Sequence, residues 1–172
     1  MTCTAKAITN GYYPFGAVMI HEKLTEVFES SKSPVASIGH GYTYSGHPVG
    51  AAAALACLAE TKRLNVNVNA GLRGDELLVG LQGLKSKHEL VGNVRGKGLM
   101  CAVELVSDRA KKPAPAKDVV QKVQGITYEA GVMVRTSGPN IIMSPLLIVT
   151  AKDMNKIVSA FDEGLAAASI RQ

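Results

Sequence analysis

Apolar positions in this chain come in short runs broken by glycine, proline and small polar residues, and their spacing alternates between strand and helix periods. Residues 1–5 and 17–20 are short β-tolerant runs on either side of an Asn10-Gly11 turn and a loop shaped by Pro14 and Gly16. They predict two strands, the first of them the end of a buried one. Leu24, Val27 and Phe28 recur at helical spacing and predict a short helix over residues 21–30. The stretch SIGHGYTYSGHPVG is dense in small, polar and turn-forming residues and reads as a loop. Pro48 suits the start of the next helix, predicted over residues 49–64, because a missing N–H costs nothing there. Alanines 51–54 keep the first turns of that helix slim enough to pack close to neighbouring backbone.

The segment NVNVNAG reads as a joint, and from Asn69 the pattern changes. Leu77, Leu78, Leu81 and Leu84 repeat at helical spacing. VRGKGLMCAVELV predicts a glycine turn and then a strand over residues 99–106, with Arg95 and Lys97 as turn residues facing solvent or a partner chain. SDRAKKPAPAK reads as a polar, solvated loop. Val119, Val120, Val123 and Ile126 predict a helix over residues 117–130, followed by two short strands, 132–136 and 140–143, around a Gly-Pro-Asn turn. Thr150 and Asp153 have the spacing of a capping box, and the helix they open would bury Met154, Ile157, Val158, Phe161 and Leu165. Residues 1–65 thus resemble the tail of a larger α/β domain, with too few strands to close a sheet. Residues 66–172 resemble a compact α+β domain. The chain is expected to be the C-terminal piece of something longer.

Composition narrows the function. Hydrophobic residues make up 47% of 172, enough for a substantial core and unlike a disordered chain. The 19 basic and 14 acidic side chains leave +5, scattered along the sequence. The densest basic cluster, Arg109 to Lys112, has no aromatic residues interleaved, so no nucleic-acid partner is expected. Lys85 and Lys87 fall where a helix C-terminus welcomes cations. Cys3, Cys57 and Cys101 are odd in number, far apart and without metal-ligand spacing, and they read as reduced thiols in a cytosolic protein. His21, His40, His47 and His88 form no metal-binding motif. The first residues lack a basic head before an apolar stretch, and the apolar run 49–59 is too short and alanine-rich to span a bilayer, so no membrane partner is expected either.

Three places could carry chemistry. Lys6 ends the first strand, and burial there would strip its hydration and favour the free, nucleophilic amine that condenses with a carbonyl cofactor. A surface lysine laid along a strand end accounts for the spacing at least as well. The loop GHGYTYSGHP puts the hydroxyls of Thr43, Tyr44 and Ser45, and the freedom of Gly46, ahead of a helix N-terminus, which can hold a phosphate. It lacks the Gly-Lys-Ser/Thr of a Walker loop, and a plain long turn remains the simpler account. Arg135, at a strand end before a turn, could grip a carboxylate in a bidentate fork, or could simply be exposed.

Four segments taken together resemble one family. MTCTAKAITNGYYPFGAV resembles the stretch around the cofactor lysine of class III aminotransferases, the pyridoxal-phosphate enzymes of fold type I. GHGYTYSGHPVGAAAALA is similar to the family's threonine loop and the helix after it, VGNVRGKGLMCAVEL to its small-domain strand entry, and GVMVRTSGPNIIMSPLLIVTAKDM to its last strands and helix. Order and spacing agree over essentially the whole chain, with the omega-amino acid or beta-alanine–pyruvate transaminases as the nearest subgroup.

The resemblance implies an α/β fold: the tail of a large cofactor-binding domain over residues 1–65 and a small α+β domain over 66–172. It implies that Lys6 holds pyridoxal 5'-phosphate covalently and later moves a proton on the substrate. Thr43 would reach the cofactor phosphate of the other subunit of a homodimer, and Arg135 would bind the carboxylate of the acceptor keto acid. Substrates would be a small amine and a keto acid such as pyruvate. The family's aspartate on the cofactor ring nitrogen, its main phosphate cup and its stacking aromatic all lie upstream of the lysine and have no counterpart in these residues. An inactive C-terminal fragment is therefore the alternative, with a related decarboxylase or aminomutase as another.

Overall fold

In the computed structural model, which describes residues 1–169, the chain divides into two units at Leu64/Asn65. In the first unit β1 (Thr2–Ala5) pairs antiparallel with β2 (Gly16–Met19), Thr2 opposite Met19 and Ala5 opposite Gly16. The strand expected to be buried is not. Thr2, Cys3 and Ala5 are exposed and Thr4 is half-buried, because an isolated two-stranded ladder has no second layer to cover its faces. Helix α1 (Glu22–Glu29) forms where the periodicity predicts it, capped by His21, whose Nδ1 accepts from the Lys23 amide at 3.2 Å. Its apolar stripe of Leu24, Val27 and Phe28 is nonetheless largely exposed.

Helix α2 (Pro48–Arg63) begins with its proline at the first turn, as expected, and buries Gly50 and Ala54. A Cβ on Gly50 would lie 2.7 Å from Phe15 Cδ2 and 2.9 Å from Tyr13 Cε1. The helix therefore rests on the 13–15 segment because residue 50 has no side chain.

The second unit begins in a helix. NVNVNAG is not a joint: α3 runs Val66–Lys87, and the break is Asn65 alone, at φ +49° and ψ +39°. Asparagine tolerates this left-handed conformation better than most residues, so one residue suffices to end a helix and start another. A further strand also emerges. Residues read as a turn form β3 (Val91–Lys97), paired with β4 (Met100–Leu105) through a tight turn at Gly98, which sits at φ +53°. Arg95 is thus a strand residue; its guanidinium donates to Asn140 Oδ1 at 2.6 Å and lies 3.5 Å from Glu104.

With β5 (Arg135–Ser137) and β6 (Asn140–Met143), these strands make an antiparallel sheet ordered β3-β4-β6-β5. Alternate residues of β4 and β6, namely Cys101, Val103, Leu105, Ile141 and Met143, are buried. They join a core with Leu77, Leu81 and Leu84 of α3, Val120 and Val123 of α4 (Lys117–Glu129), and Met154, Phe161 and Leu165 of α5 (Ala151–Ser169). Thr150 and Asp153 form the expected capping box: the Thr150 amide donates to Asp153 Oδ2 at 2.7 Å, and the Asp153 amide to Thr150 Oγ1 at 3.3 Å. The Thr150 amide and hydroxyl, both donating to the Asp153 carboxyl, hold it below its usual range.

Arg109, expected in a solvated loop, is instead half-buried. Its guanidinium donates to the carbonyls of Lys85, His88 at 2.6 Å and Val91 at 3.2 Å. These are acceptors at the α3 C-terminus and its exit, where a fixed cation also meets the negative end of the helix. Next to it, Asp162 on α5 lies 2.5 Å from both Lys87 Nζ and His88 Nε2. Partial burial raises the Asp162 carboxyl, but bonds from Lys87 and His88 outweigh it and hold the group below its usual range.

Three outcomes follow for stability. Arg109→Ala should lower the stability of the second unit by about 2–3 kcal/mol in urea titrations, through loss of charged hydrogen bonds to carbonyls, while Lys111→Ala shifts it by less than about 0.5 kcal/mol. Because the Asp162 carboxyl is lowered in the folded state, its contribution is present above the ordinary carboxylate range and is lost as pH falls through the folded value. Asp162→Asn should flatten that acid limb of the stability–pH curve. Gly50→Ala should cost the first unit about 1–3 kcal/mol by overpacking against Tyr13 and Phe15, read as a lower urea midpoint.

Candidate active site

The three sequence candidates fall in both units: Lys6 and Thr43 in the first, Arg135 in the second. Lys6 opens a 3-10 turn, Lys6–Ile8, directly after β1. Its backbone sits at φ +51°, a left-handed conformation that costs a residue with a Cβ about 1–2 kcal/mol and persists only where the surroundings enforce it. Here the next residues enforce it. The Thr9 amide donates to Lys6 O at 3.3 Å and the Tyr12 amide to Thr9 O at 3.0 Å. Thr9, itself buried, sends its hydroxyl to Tyr13 O at 2.6 Å. Asn10 at φ +49° and Gly11 at φ +82° complete the reversal. From α2, the Cys57 thiol donates to Ala7 O at 3.3 Å.

The Lys6 side chain is exposed and has no hydrogen-bond or ion-pair partner among the described residues. The desolvation expected from a buried strand is therefore not found at this amine. The three cysteines are free: Cys3 is exposed with its strand, Cys57 half-buried, and Cys101 buried, which pushes its thiol up.

Thr43 is exposed within a turn formed by residues 43–46. The Ser45 amide donates to Tyr42 O at 2.9 Å, and the Tyr42 amide to Ser45 Oγ at 2.9 Å, so Ser45 spends its hydroxyl on the turn itself. Gly46 at φ +70° and a bond from the His47 amide to Tyr44 O at 3.1 Å lead into α2. His47 caps that helix without a side-chain hydrogen bond to its amides, leaving the N-terminal donors of a 16-residue helix open beside the turn.

Sequence reasoning missed the packing behind this turn. The His47 ring stacks on Tyr13, with centroids 5.4 Å apart and planes 28° from parallel, and meets Tyr44 edge-on at 5.8 Å. Its Nδ1 is buried with no partner among the described residues, a state that costs about 1–3 kcal/mol. The only sequence trace of this seam is His47 and Gly50 at i and i+3 on the helix start.

Arg135 is exposed at the first position of β5, opposite Ile142. It lines a groove of ≈ 680 Å³ between α4 and the sheet edge, shared with Gln121, Gln124, Tyr128 and Ser144. Gln124 donates to the carbonyl of Val134 at 3.1 Å and so fixes the backbone just before the arginine. The guanidinium has no carboxylate partner among the described residues and is free to take one from a ligand.

These features fit a phosphate-bearing aldehyde as cofactor. The residues present include an unpartnered primary amine on a constrained backbone, and a hydroxyl-bearing turn at an uncapped helix N-terminus.

Comparison with known proteins points the same way. The chain is 33% identical to a probable gamma-aminobutyrate transaminase 3, mitochondrial, of Oryza sativa subsp. indica, over 97% of this chain and 33% of that protein. It is 34% identical to the taurine–pyruvate aminotransferase of Bilophila wadsworthia, over 92% of this chain and 37% of that one. It spans about a third of the length of these relatives. Among solved structures, an amine transaminase from an uncultivated Pseudomonas species in its PLP-bound form matches with a TM-score of 0.91 and 40% identity, over 97% of this chain and 38% of that one. An omega-transaminase from Thermomicrobium roseum matches at 0.86 and 33%, over 98% and 37%. The chain thus has the α/β fold of pyridoxal-phosphate-dependent transaminases along its length. No helix among the described residues is long and apolar enough to cross a membrane. The family model for class III aminotransferases matches residues 1–165, and the chain belongs to that family.

Proposed function

We propose that this chain is the C-terminal portion of a pyridoxal-phosphate-dependent transaminase that moves an amino group from an omega-amino acid or amine to a keto acid such as pyruvate. The finer placement, among omega-amino acid or beta-alanine–pyruvate transaminases, belongs to the same proposal. Residues 1–65 are then the tail of the large cofactor-binding domain and residues 66–172 the small domain, in an enzyme that works as a homodimer in the cytosol. The single observation that carries the reading is Lys6: an unpartnered amine on a left-handed backbone that its own loop holds in place.

When bound, pyridoxal phosphate supplies the electron sink, which no side chain offers. The chain's own residues do the rest. Lys6 would hold the cofactor, and its free amine would carry a proton between the substrate carbon and the cofactor. Thr43 offers its hydroxyl to the phosphate bound by the neighbouring copy, beside the open amides of α2. Arg135 orients the keto acid through its carboxylate. The exposed stripe of Leu24, Val27 and Phe28, and the exposed Val18 and Met19, support the view that more of the protein covers the first unit.

Adding pyridoxal phosphate to the chain should produce a visible absorbance band that Lys6→Ala abolishes. The 172 residues alone should give negligible transfer from beta-alanine to pyruvate, because the family's ring-nitrogen aspartate and main phosphate cup lie outside them. A band of equal strength in Lys6→Ala overturns the assignment of Lys6. Full turnover by the chain overturns its reading as a portion of the enzyme. Release of carbon dioxide, or internal migration of the amine, by the complete enzyme in place of transfer to pyruvate overturns the reaction class.

A further inference from the structure

We propose that His47 is a positioning residue: through its ring stacked on Tyr13, it holds the turn that carries Thr43 against the segment that begins at Lys6. The proposal rests on the roles given above to Lys6 and Thr43, and concerns what keeps the two segments in register.

A continuous set of contacts within the first unit carries it. Tyr44, next to Thr43, meets the His47 ring edge-on, and the same ring stacks on Tyr13. The Tyr13 carbonyl accepts the buried Thr9 hydroxyl, and the Thr9 amide in turn binds the Lys6 carbonyl. One helical turn beyond His47, Gly50 lets α2 close on Tyr13 and Phe15, so the stack is part of a seam and not an isolated contact. The orphaned Nδ1 says which property of the ring matters. Since that nitrogen bonds none of the described residues, the ring contributes its aromatic face and its volume. Where Thr43 serves the neighbouring copy, the same seam ties the amine of one site to the phosphate turn of the other.

Because the contribution is the ring face, phenylalanine should replace histidine here and alanine should not. The test is amide hydrogen exchange on the full chain, comparing wild type, His47→Ala and His47→Phe. In His47→Ala, exchange should rise about tenfold at the amides of Thr9, Tyr12, Ser45 and residue 47, with the C-terminal half of α2 and residues 65–169 unchanged. His47→Phe should restore wild-type protection. Equal protection in all three proteins overturns the proposal. So does loss that spreads through the whole of α2, which marks a merely structural residue, or a His47→Phe as open as His47→Ala, which assigns the effect to the nitrogen.

A second arm reads the coupling to Lys6. Borohydride trapping with pyridoxal phosphate, and with pyridoxal lacking the phosphate, gives the preference of Lys6 for the phosphorylated aldehyde. That preference should drop in His47→Ala and return in His47→Phe; an unchanged preference in His47→Ala overturns the proposal. If wild type traps neither aldehyde on Lys6, the proposed function falls, and the exchange arm decides the role of His47 by itself.

Discussion

The first turn of α2 sits directly on Tyr13 and Phe15, and everything proposed for the first unit depends on that close approach. It is possible because position 50 carries no side chain, and His47 adds a ring stack one turn earlier. Without the seam, the segment after Lys6 and the turn at Thr43 would be two loops on a hairpin and a helix that bury little else. With it, the strained backbone of Lys6 is braced from both sides: by Thr9 within its own loop, and by Cys57 and Tyr13 through α2. Constrained backbone of this kind is maintained only where the surroundings over-determine it, and such places concentrate at functional sites.

The second unit reaches rigidity by the ordinary route of a sheet covered by helices around one apolar core. Its less obvious brace is Arg109. A loop further along the sequence folds back so that one guanidinium meets carbonyls at the end of α3 and just beyond it. The same rigid frame presents Arg135 at the sheet edge, with Gln124 holding the backbone before it. The carboxylate-binding role proposed for Arg135 calls for a support stiffer than a loop, and β5 provides one.

Much of this was legible in the residues, for identifiable reasons. The helices at residues 48–63, 117–129 and 151–169 announce themselves by apolar periodicity, by Pro48 and by the Thr150–Asp153 pair, all of which are local signals. The misses are where local signals mislead. Asn-rich sequence suggested a joint, but only Asn65 breaks the helix and tertiary packing carries α3 through the rest. The glycines of VRGKGL suggested a turn, yet Gly96 lies inside β3 and only Gly98 turns the chain. Arg109 looks solvated because the acceptors of its hydrogen bonds are backbone carbonyls, which leave no side-chain signature. Among the candidate residues, Lys6, Thr43 and Arg135 stand out by residue type and by resemblance. Tyr13, His47 and Gly50 did not, because a stack between distant loops has no periodicity to read.

Membership in the class III aminotransferases makes one chemical claim central: a single amine, out of thirteen lysines in the chain, is the covalent anchor. Peptide mapping after borohydride reduction in the presence of pyridoxal phosphate tests this most directly. The account predicts a pyridoxyl label on the peptide containing Lys6 at cofactor concentrations too low to mark the other twelve. A label spread evenly over exposed lysines, or concentrated on any other one, would contradict it.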